Sequence, residues 1–144
     1  MTTVKKLLDT KGRDVWTVSP HATVLDALRL MAEKGVGALV VLDGENIIGI
    51  FSERDYARKV ALKGKSSRSL SVREIMTDKV VYVRPDQTIE ESMAIMTDKR
   101  VRHLPVCEND KLIGIVSIGD VVKAIISNQQ FIIEQLENYI TGSR

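Results

Sequence analysis

The sequence predicts an α+β fold of the α/β type, in which two β-α-β-β-α repeats are related by a pseudo-twofold axis and followed by a long C-terminal helix. The main observation is an internal repeat, because residues 15–60 align without a gap with residues 80–125 at a constant offset of 65 positions. Each copy of such a repeat is one structural unit that buries its apolar face against a neighbour, so the repeat determines the fold before any other feature. Identical pairs include Val18/Val83, Pro20/Pro85, Thr23/Thr88, Gly49/Gly114, Ser52/Ser117 and Asp55/Asp120.

The first half of each repeat predicts a strand followed by an amphipathic helix. The predicted strands are Val15–Val18 and Val80–Val83, and each ends before a proline, which cannot donate to a strand ladder. Thr23 and Thr88 are the expected N-caps of the helices that follow, because each precedes an apolar stripe at helical spacing. Gly35 is the expected left-handed stop of the first of these helices.

The second half of each repeat predicts two strands and a second helix. Its apolar runs are too short for helices and are typical of strands buried on both faces. These runs are Ala38–Leu42, Ile47–Phe51, Leu104–Cys107 and Leu112–Val116. Ser52 and Ser117 begin the second helices, and after Asp120 the helical pattern continues to Ile140 with more apolar residues than one repeat can cover. We therefore expect this helix to pack on the other repeat or on a second subunit, and we expect a homodimer.

The segments that precede the two repeats also resemble each other, and we call them the leading segments. Val4-Lys5-Lys6-Leu7-Leu8 parallels Val72-Arg73-Glu74-Ile75-Met76, and the linker over residues 63–71 is polar and expected to be exposed. The predicted organisation is one intertwined module. Residues 1–66 form the first repeat with its leading segment, residues 67–127 form the second repeat, and residues 128–144 form the C-terminal helix extension and tail.

Composition excludes several classes of protein. The chain has 144 residues, 44% hydrophobic and 28% charged, which suits one soluble globular domain. A net charge of +2 is too small for a nucleic-acid footprint or a membrane surface. Cys107 is the only cysteine and is expected to be a small core residue, and the N-terminus has no apolar signal segment. We therefore expect a cytoplasmic protein that binds neither nucleic acid nor membrane.

The motif Gly-Ile-(Phe/Val)-Ser-x-x-Asp occurs once in each repeat, at the predicted junction of a strand and a helix. It covers Gly49–Asp55 and Gly114–Asp120. In one interpretation it is a structural capping box, with serine at the N-cap and aspartate three residues later. In the other, the helix start attracts a phosphate while the aspartate accepts two hydrogen bonds from a cis-diol such as a ribose. The two interpretations are compatible.

Other motifs point away from catalysis. Gly35-Val36-Gly37 lies at a helix-to-strand junction and has no third glycine, so it is not a dinucleotide fingerprint, and no P-loop is present. His21 and His103 are out of register between the repeats, which argues against a metal site. A serine-hydrolase triad would need a base beside Ser52 or Ser117, and His103 is the only loose candidate in the sequence. We therefore predict no catalytic residues and no metal ligands.

The tandem arrangement resembles the CBS-domain pair, or Bateman module, and most closely the stand-alone bacterial CBS-domain proteins. The supporting segments are VKKLL, VWTVSPHATVLDALRLMAEKGVGALVVLD and IIGIFSERDYARKV in the first copy. In the second copy they are VREIMTDKVVYVRPDQTIEESMAIMTDKRVRHLPV and LIGIVSIGD. The resemblance covers residues 4 to 127 and implies a module that binds AMP, ADP, ATP, NAD(H) or S-adenosylmethionine in clefts between its repeats, without a required cofactor.

The resemblance also implies the residues of two clefts. In one, Ser117 and Asp120, with Ile115 of the same motif, would face the leading segment and second strand of the other repeat, at Lys11, Val15, Trp16, Val36 and Ala38. In the other, Ser52 and Asp55 would face Thr77, Lys79, Val80, Val81, His103 and Pro105. Aspartates would hold ribose hydroxyls and serines would contact phosphate. Arg54, Arg58 and Arg102 are candidate phosphate partners, because a guanidinium binds phosphate bidentately. We expect the cleft with Arg102 and Asp55 to take the larger or more phosphorylated ligand.

The function that follows is a non-catalytic sensor for an adenine nucleotide, acting on an unidentified regulated protein by shifting the angle between repeats or subunits. The alternative is a constitutive dimerisation or scaffold protein in which the Ser-x-x-Asp motifs are only helix caps. An enzyme with an unrecognised site is a third interpretation.

Overall fold

The computed structural model describes residues 2–141 and has a mixed α+β architecture. The helices are α1 (Val4–Lys11), α2 (Val24–Lys34), α3 (Glu53–Tyr56), α4 (Val72–Ile75), α5 (Ile89–Lys99) and α6 (Ile118–Thr141). The strands are β1 (Thr17–Val18), β2 (Ala38–Asp43), β3 (Asn46–Ser52), β4 (His103–Glu108) and β5 (Lys111–Ser117). A π-helix over Ala57–Ala61 continues α3, so the second helix of the first repeat is one α-helical turn followed by a π-helical segment.

The chain forms two compact units, which we name by the repeat that each contains. The first-repeat unit is Val15–Val81, and the second-repeat unit joins residues 2–14 to residues 82–141. The predicted boundaries follow the order of the repeats along the chain, whereas the leading segment before residue 15 is part of the second-repeat unit. The terminal residues 142–144 of the predicted tail lie outside the described residues.

The first-repeat unit contains a three-stranded sheet in the order β1-β2-β3. β1 is parallel to β2, and β2 is antiparallel to β3. The sheet packs against α2 and α4 around a buried apolar core, and burial of each large side chain contributes about 1.5–3 kcal/mol. The buried core residues are Val24, Ala27, Met31, Leu39, Val41, Phe51, Val60, Val72 and Ile75.

The ends of α2 and α5 show why these segments form helices. Thr23 Oγ1 accepts a hydrogen bond from Asp26 N at 3.1 Å, and Thr88 Oγ1 accepts one from Glu91 N at 3.1 Å, which confirms both N-caps. Gly35 adopts the predicted left-handed conformation with φ 66°. Arg100 occupies the equivalent position with φ 55°, a conformation that costs an L-residue about 1 kcal/mol.

The second-repeat unit contains the antiparallel pair β4–β5 but no counterpart of β1. The predicted strand Val80–Val83 is wrong, because within the described chain it is reduced to a single parallel bridge between Val83 and Val106. Pro105 supplies the physical reason. Its equivalent in β2, Val40, donates its N–H to Trp16 O at 3.2 Å, and proline has no N–H to donate.

The leading helices α1 and α4 make equivalent backbone contacts in the two units. α1 docks on the second repeat and α4 docks on the first, so each repeat is completed by the leading segment that precedes the other repeat in the chain. The equivalent hydrogen bonds are Val4 N to Gln87 O (2.8 Å), Lys5 N to Pro85 O (2.9 Å), Val72 N to Ala22 O (2.8 Å) and Arg73 N to Pro20 O (3.0 Å).

The long helix α6 confirms the predicted C-terminal pattern. Its first turns pack on β5, α5 and α1, and Asn128 exchanges a hydrogen bond with Thr2 in the same unit. Between residues 129 and 141 every side chain except Asn138 is exposed, including the apolar ones. Among the helices of residues 2–141, none is both long and apolar enough to cross a membrane.

Candidate functional site

The Ser-x-x-Asp motif of the first repeat forms a complete capping box where β3 ends and α3 begins. Ser52 Oγ accepts a hydrogen bond from Asp55 N at 3.2 Å. In return, Asp55 Oδ2 accepts hydrogen bonds from Ser52 N at 3.0 Å and from Ser52 Oγ at 3.1 Å. The structural interpretation of the motif is therefore correct for this repeat, and the cap fixes the orientation of the Asp55 carboxylate.

The second carboxylate oxygen of Asp55 is also occupied. Thr77 Oγ1 donates a hydrogen bond to Asp55 Oδ1 at 3.0 Å, and Lys59 Nζ lies 3.1 Å from the same oxygen. The side chain of Asp55 is only 10% exposed. A buried carboxylate needs donors and a counter-charge, and Asp55 has both.

Thr77 directly follows the leading segment of the second repeat, and its backbone is bonded to β3. Ile50 N donates to Thr77 O at 3.0 Å and Thr77 N donates to Ile50 O at 2.8 Å, so the two residues form an antiparallel bridge. Lys59 reaches the same segment, because its Nζ donates to Ile75 O at 3.0 Å. Asp55 therefore lies where α3, the π-helix and the chain after α4 meet.

The motif of the second repeat forms the same cap but has a different partner. Asp120 Oδ2 accepts a hydrogen bond from Ser117 N at 2.8 Å, and Ser117 Oγ accepts one from Asp120 N at 3.1 Å. The leading helix α1 continues to Lys11, whose Nζ lies 2.6 Å from Asp120 Oδ2 and 2.6 Å from Ile115 O. The side chains of Lys11 and Asp120 are 32% and 25% exposed.

In the second-repeat unit, the ammonium group of Lys11 donates to two acceptors. In the first-repeat unit, the equivalent acceptors receive the backbone N–H and the hydroxyl of Thr77. Ile115 occupies the position of Ile50 in the repeat. In the first-repeat unit, Thr77 pairs with the Ile50 carbonyl through its N–H and with the carboxylate through its hydroxyl. Lys11 Nζ contacts the Ile115 carbonyl and the Asp120 carboxylate at once. The equivalent acceptors are present in both units, but the Thr77 donors are neutral whereas the Lys11 donor is charged.

The electrostatics of the second motif favour an ionised carboxylate. Partial burial alone would raise the pKa of Asp120, but the hydrogen bond from Lys11, the N–H of Ser117 and the positive charge of Lys11 outweigh it. The pKa of Asp120 is therefore below the ordinary aspartate range. The hydrogen bonds that the described chain gives to Asp120 all reach Oδ2, so Oδ1 keeps acceptor capacity at a partly exposed position.

Arg102 and His103 lie at the same end of their unit as Asp120. Arg102 O accepts a hydrogen bond from Ile118 N at 2.8 Å, which places this exposed residue beside the first turn of α6. His103 is half-buried at the start of β4, directly opposite Ser117 in the strand register. Gly37, the equivalent of Arg102, accepts the corresponding bond from Glu53 N at 3.0 Å in the other unit.

The remaining predicted site residues are distributed over both units. In the first-repeat unit, Arg54, Arg58 and Lys79 are exposed, Ala38 is buried, and the half-buried residues are Val15, Trp16, Val36, Val80 and Val81. Pro105 is buried in β4 of the second-repeat unit. The structure brings Thr77 to Asp55, and Lys11 to Asp120 and Ile115. The predicted pairings that join residues of different units remain predictions.

Lys59 is a contact of Asp55 that was missed by sequence reasoning. It has no lysine at the equivalent position of the second repeat, where Ala124 stands. The available signal was its spacing of four residues from Asp55 within a helical segment, the spacing at which opposite charges pair on a helix. Lys11 and Thr77 were included only through the family resemblance.

The described residues show neither a metal-binding cluster nor an activated thiol. No group of three or more histidine, cysteine or acidic side chains among residues 2–141 is arranged to hold a metal ion. Cys107 is buried in β4, and its burial together with the negative charge of Asp110 raises the pKa of its thiol. A raised pKa disfavours the thiolate, so Cys107 fits the expected role of a core residue.

Comparison with known sequences identifies the class of this protein. The family model for the CBS domain matches twice, at residues 4–62 and 72–127. The chain therefore belongs to the CBS-domain family and contains a tandem pair of these domains. CBS-domain pairs of this kind are often regulatory or signalling modules.

Individual relatives agree with this assignment. The mitochondrial CBS domain-containing protein CBSX3 of Arabidopsis thaliana is 38% identical over 98% of this chain and 73% of its own length. A structure from Burkholderia ambifaria MC40-6, named as a signal-transduction protein with CBS domains, is 54% identical and has a TM-score of 0.84. It matches 89% of this chain and 96% of that one. The hexameric CBS-CP12 protein of bloom-forming cyanobacteria is 31% identical, with a TM-score of 0.77 over 85% of this chain and 70% of its own, so CBS relatives form oligomers.

Proposed function

We propose that this CBS pair is a non-catalytic regulatory module that binds an adenosine-containing ligand, such as AMP, ADP, ATP, NAD(H) or S-adenosylmethionine. The observation that carries the proposal is the state of Asp120. Its carboxylate is ionised, partly exposed and fixed by a helix cap, and Oδ1 has no donor in the described chain. A cis-diol donates two hydrogen bonds to a carboxylate of this kind, so a ribose is a matching ligand group.

The surroundings of Asp120 also suit a phosphate. In the first turn of α6, Ile118 N and Asp120 N already donate to Arg102 O and Ser117 Oγ, so the attraction for a phosphate comes mainly from the positive end of a 24-residue helix. Lys11 and the exposed Arg102 add cationic side chains in the same unit. A ligand that carries both a ribose and a phosphate satisfies these groups better than either part alone. We propose that its binding changes the equilibrium between two arrangements of the module that a regulated protein distinguishes.

Thermal unfolding in the presence of each of the five ligands tests this function. A ligand that binds the folded state stabilises it by mass action, by about 2.7 kcal/mol when its concentration is 100 times the Kd. We expect the Asp120→Asn variant to lose the increase in Tm, because one of the two acceptor oxygens becomes an NH2 donor and the side chain no longer offers each hydroxyl of a diol its own oxygen. Asp98→Asn, an exposed aspartate on α5, is the matched control and should keep the increase. If none of the five ligands changes the Tm of the wild type, the proposal is wrong and a scaffold is the better interpretation.

We also propose that the chain forms a homodimer through the second half of α6. Ile126, Ile133 and Ile140 follow one another at seven-residue intervals with Leu136 between them, which is the pattern of a helix that packs on another helix. All four are exposed in the single chain, Ile133 and Leu136 by 53% and 57%. The seam contains no charged residue, so a second copy of the same helix fits it better than a charged partner does. The oligomeric CBS relative supports this assignment.

Sedimentation equilibrium of the full chain tests the dimer. We expect Leu136→Asp to weaken dimerisation at least 100-fold, because a symmetric interface buries the new charge twice. Gln135→Asp adds the same charge outside the apolar seam and should leave the dimer intact. A wild-type chain that sediments as a monomer at tens of micromolar would contradict the proposal.

A further inference from the structure

We propose that the chain binds one ligand rather than two, at Asp120, and that Asp55 is a structural carboxylate that holds the leading segment of the second repeat. Lys11 is the residue that the ligand has to displace. This inference rests on the proposed function and adds to it the number of sites and the selectivity of the one that remains. The two Ser-x-x-Asp motifs would then have identical caps and different roles.

The donors around Asp55 carry the first half of the inference. A carboxylate has about four acceptor positions. Asp55 uses all of them, because Ser52 contributes its N–H and its hydroxyl to Oδ2 while Thr77 and Lys59 contact Oδ1. A ribose diol donates two hydrogen bonds, so it could use Oδ1 only by displacing both Lys59 and Thr77 from a side chain that is 10% exposed. The displaced segment would also lose its backbone bridge between Ile50 and Thr77.

The donors around Asp120 carry the second half. Ser117 N and Lys11 Nζ both reach Oδ2, so a diol can approach Oδ1 while the cap remains intact. Among the donors that residues 2–141 place on Asp120, Lys11 is the one outside the Ser117 cap, so a second hydroxyl would displace its ammonium. Lys11 is 32% exposed and lies at the end of a flexible four-carbon side chain, so it can leave Oδ2 while α1 stays in place.

The charge of Lys11 makes the site selective for phosphorylated ligands. A neutral diol that displaces the Lys11 ammonium breaks the ion pair between Lys11 and Asp120, and the loss of this ion pair opposes binding. If the ligand also carries a phosphate, Lys11 can form a new ion pair with that phosphate, and the new pair compensates for the lost one. Lys11 is therefore a specificity-determining residue, which favours ADP over unphosphorylated adenosine. Thr77, the corresponding donor in the first-repeat unit, is neutral and provides no such selection.

Isothermal titration calorimetry with ADP tests the number of sites. We expect a stoichiometry of one per chain in the wild type, at least a 100-fold loss of affinity in Asp120→Asn, and an unchanged stoichiometry of one in Asp55→Asn. Thr77→Val is the second variant for the first-repeat unit, in case Asp55→Asn does not fold, and it should also bind one ADP. Two ADP molecules per chain, or loss of binding in Asp55→Asn with retention in Asp120→Asn, would overturn the inference.

Adenosine as a second probe tests the role of Lys11. We expect the wild type to prefer ADP, and Lys11→Met to reduce the ratio of the two affinities at least 10-fold, because adenosine no longer competes with an ammonium and ADP loses a cation. An unchanged ratio in Lys11→Met would overturn the selectivity. Absence of binding by all five proposed ligands to the wild type contradicts the proposed function itself, whereas two ADP sites leave that function standing and refute only the inference.

Discussion

The two units of the molecule contain the same Ser-x-x-Asp cap but present its carboxylate in opposite ways. In the first-repeat unit, Asp55 is buried. It accepts hydrogen bonds from neutral donors and pairs with Lys59, which lies four residues later in the same helical segment. In the second-repeat unit, Asp120 is partly exposed and is held by a lysine from the leading helix. The repeated motif therefore determines the cap alone, and the further contacts of each carboxylate come from residues outside the motif: Thr77 and Lys59 for Asp55, and Lys11 for Asp120.

The largest expected loss of stability comes from variants that disturb the packing of the leading segments on strands β3 and β5. An added Cβ at Gly49 would lie 2.5 Å from Met76 Sδ and 3.1 Å from Thr77 O, and one at Gly114 would lie 2.8 Å from two methyl carbons of the buried Leu8. We expect Gly49→Ala and Gly114→Ala each to lower the free energy of unfolding by about 1–3 kcal/mol through overpacking. Urea unfolding measures the change.

Gly119→Ala is the matched control for these glycine variants. An added Cβ at Gly119 would lie 3.6 Å from the Ser117 hydroxyl oxygen, which is an ordinary van der Waals distance, and Gly119 is in a helical segment. Alanine is a better helix former than glycine, so this variant should be neutral or more stable by up to about 1 kcal/mol. If all three variants behave alike, the leading segments do not pack on the strands as described.

Removal of the Lys11–Asp120 ion pair should have an intermediate effect on the free energy of unfolding, and this effect should depend on pH. Since the pKa of Asp120 is lower in the folded state than in the unfolded state, the pair contributes stability above about pH 4, the ordinary aspartate range. That contribution is lost as the pH falls through the folded-state pKa. We expect Lys11→Met to lower the free energy of unfolding by about 1 kcal/mol at pH 7 and by much less at a pH below the folded-state pKa of Asp120.

The control for this pair is the exposed ion pair between Arg13 and Asp9 on the same leading segment. Its atoms lie 2.9 Å apart, but both side chains are well exposed, at 44% and 56%. Arg13→Met should change stability by less than about 0.5 kcal/mol at either pH. An equal effect of Arg13→Met and Lys11→Met in parallel urea titrations would show that Lys11 is an ordinary surface charge.

The smallest expected effect compares the C-caps of α2 and α5. Gly35 and Arg100 adopt the same left-handed conformation, and each cap N–H donates to the carbonyl four residues earlier. Arginine is strained there, so Arg100→Gly should stabilise the protein by about 0.5 kcal/mol, and Gly35→Arg should destabilise it by about 1 kcal/mol. Calorimetry measures the two changes in Tm, and a difference between them that is near zero or reversed in sign would show that the caps are not equivalent.

Local rules predicted most of the secondary structure from the sequence. Thr23, Gly35 and Ser52 mark helix ends because each satisfies backbone groups within its own few residues. The apolar runs around Val41 and Val106 mark strands because their periodicity and length are local properties as well. The strand at Val80–Val83 was predicted wrongly because its pairing depends on the N–H of a residue in another strand, and Pro105 lacks that N–H.

The candidate site was less predictable because its contacts join segments that are distant in the chain. The motif residues Ser117 and Asp120 were visible as a repeat, but the partner of Asp120 is Lys11, more than a hundred residues away. Nothing local to Lys11 distinguishes it from its neighbours Lys5 and Lys6, and only the family resemblance included it. Lys59 is close to Asp55 in sequence, yet the missing counterpart in the second repeat hid it from a comparison of the two copies.

A crystal structure of the protein with ADP is the most direct test of the difference between the two carboxylates. We predict ribose hydroxyl groups within hydrogen-bond distance of the Asp120 carboxylate, with Lys11 Nζ moved away from Oδ2 toward a phosphate. We also predict that Asp55 keeps its hydrogen bonds with Ser52 and Thr77. ADP bound to Asp55, alone or with the same occupancy as at Asp120, would contradict the account.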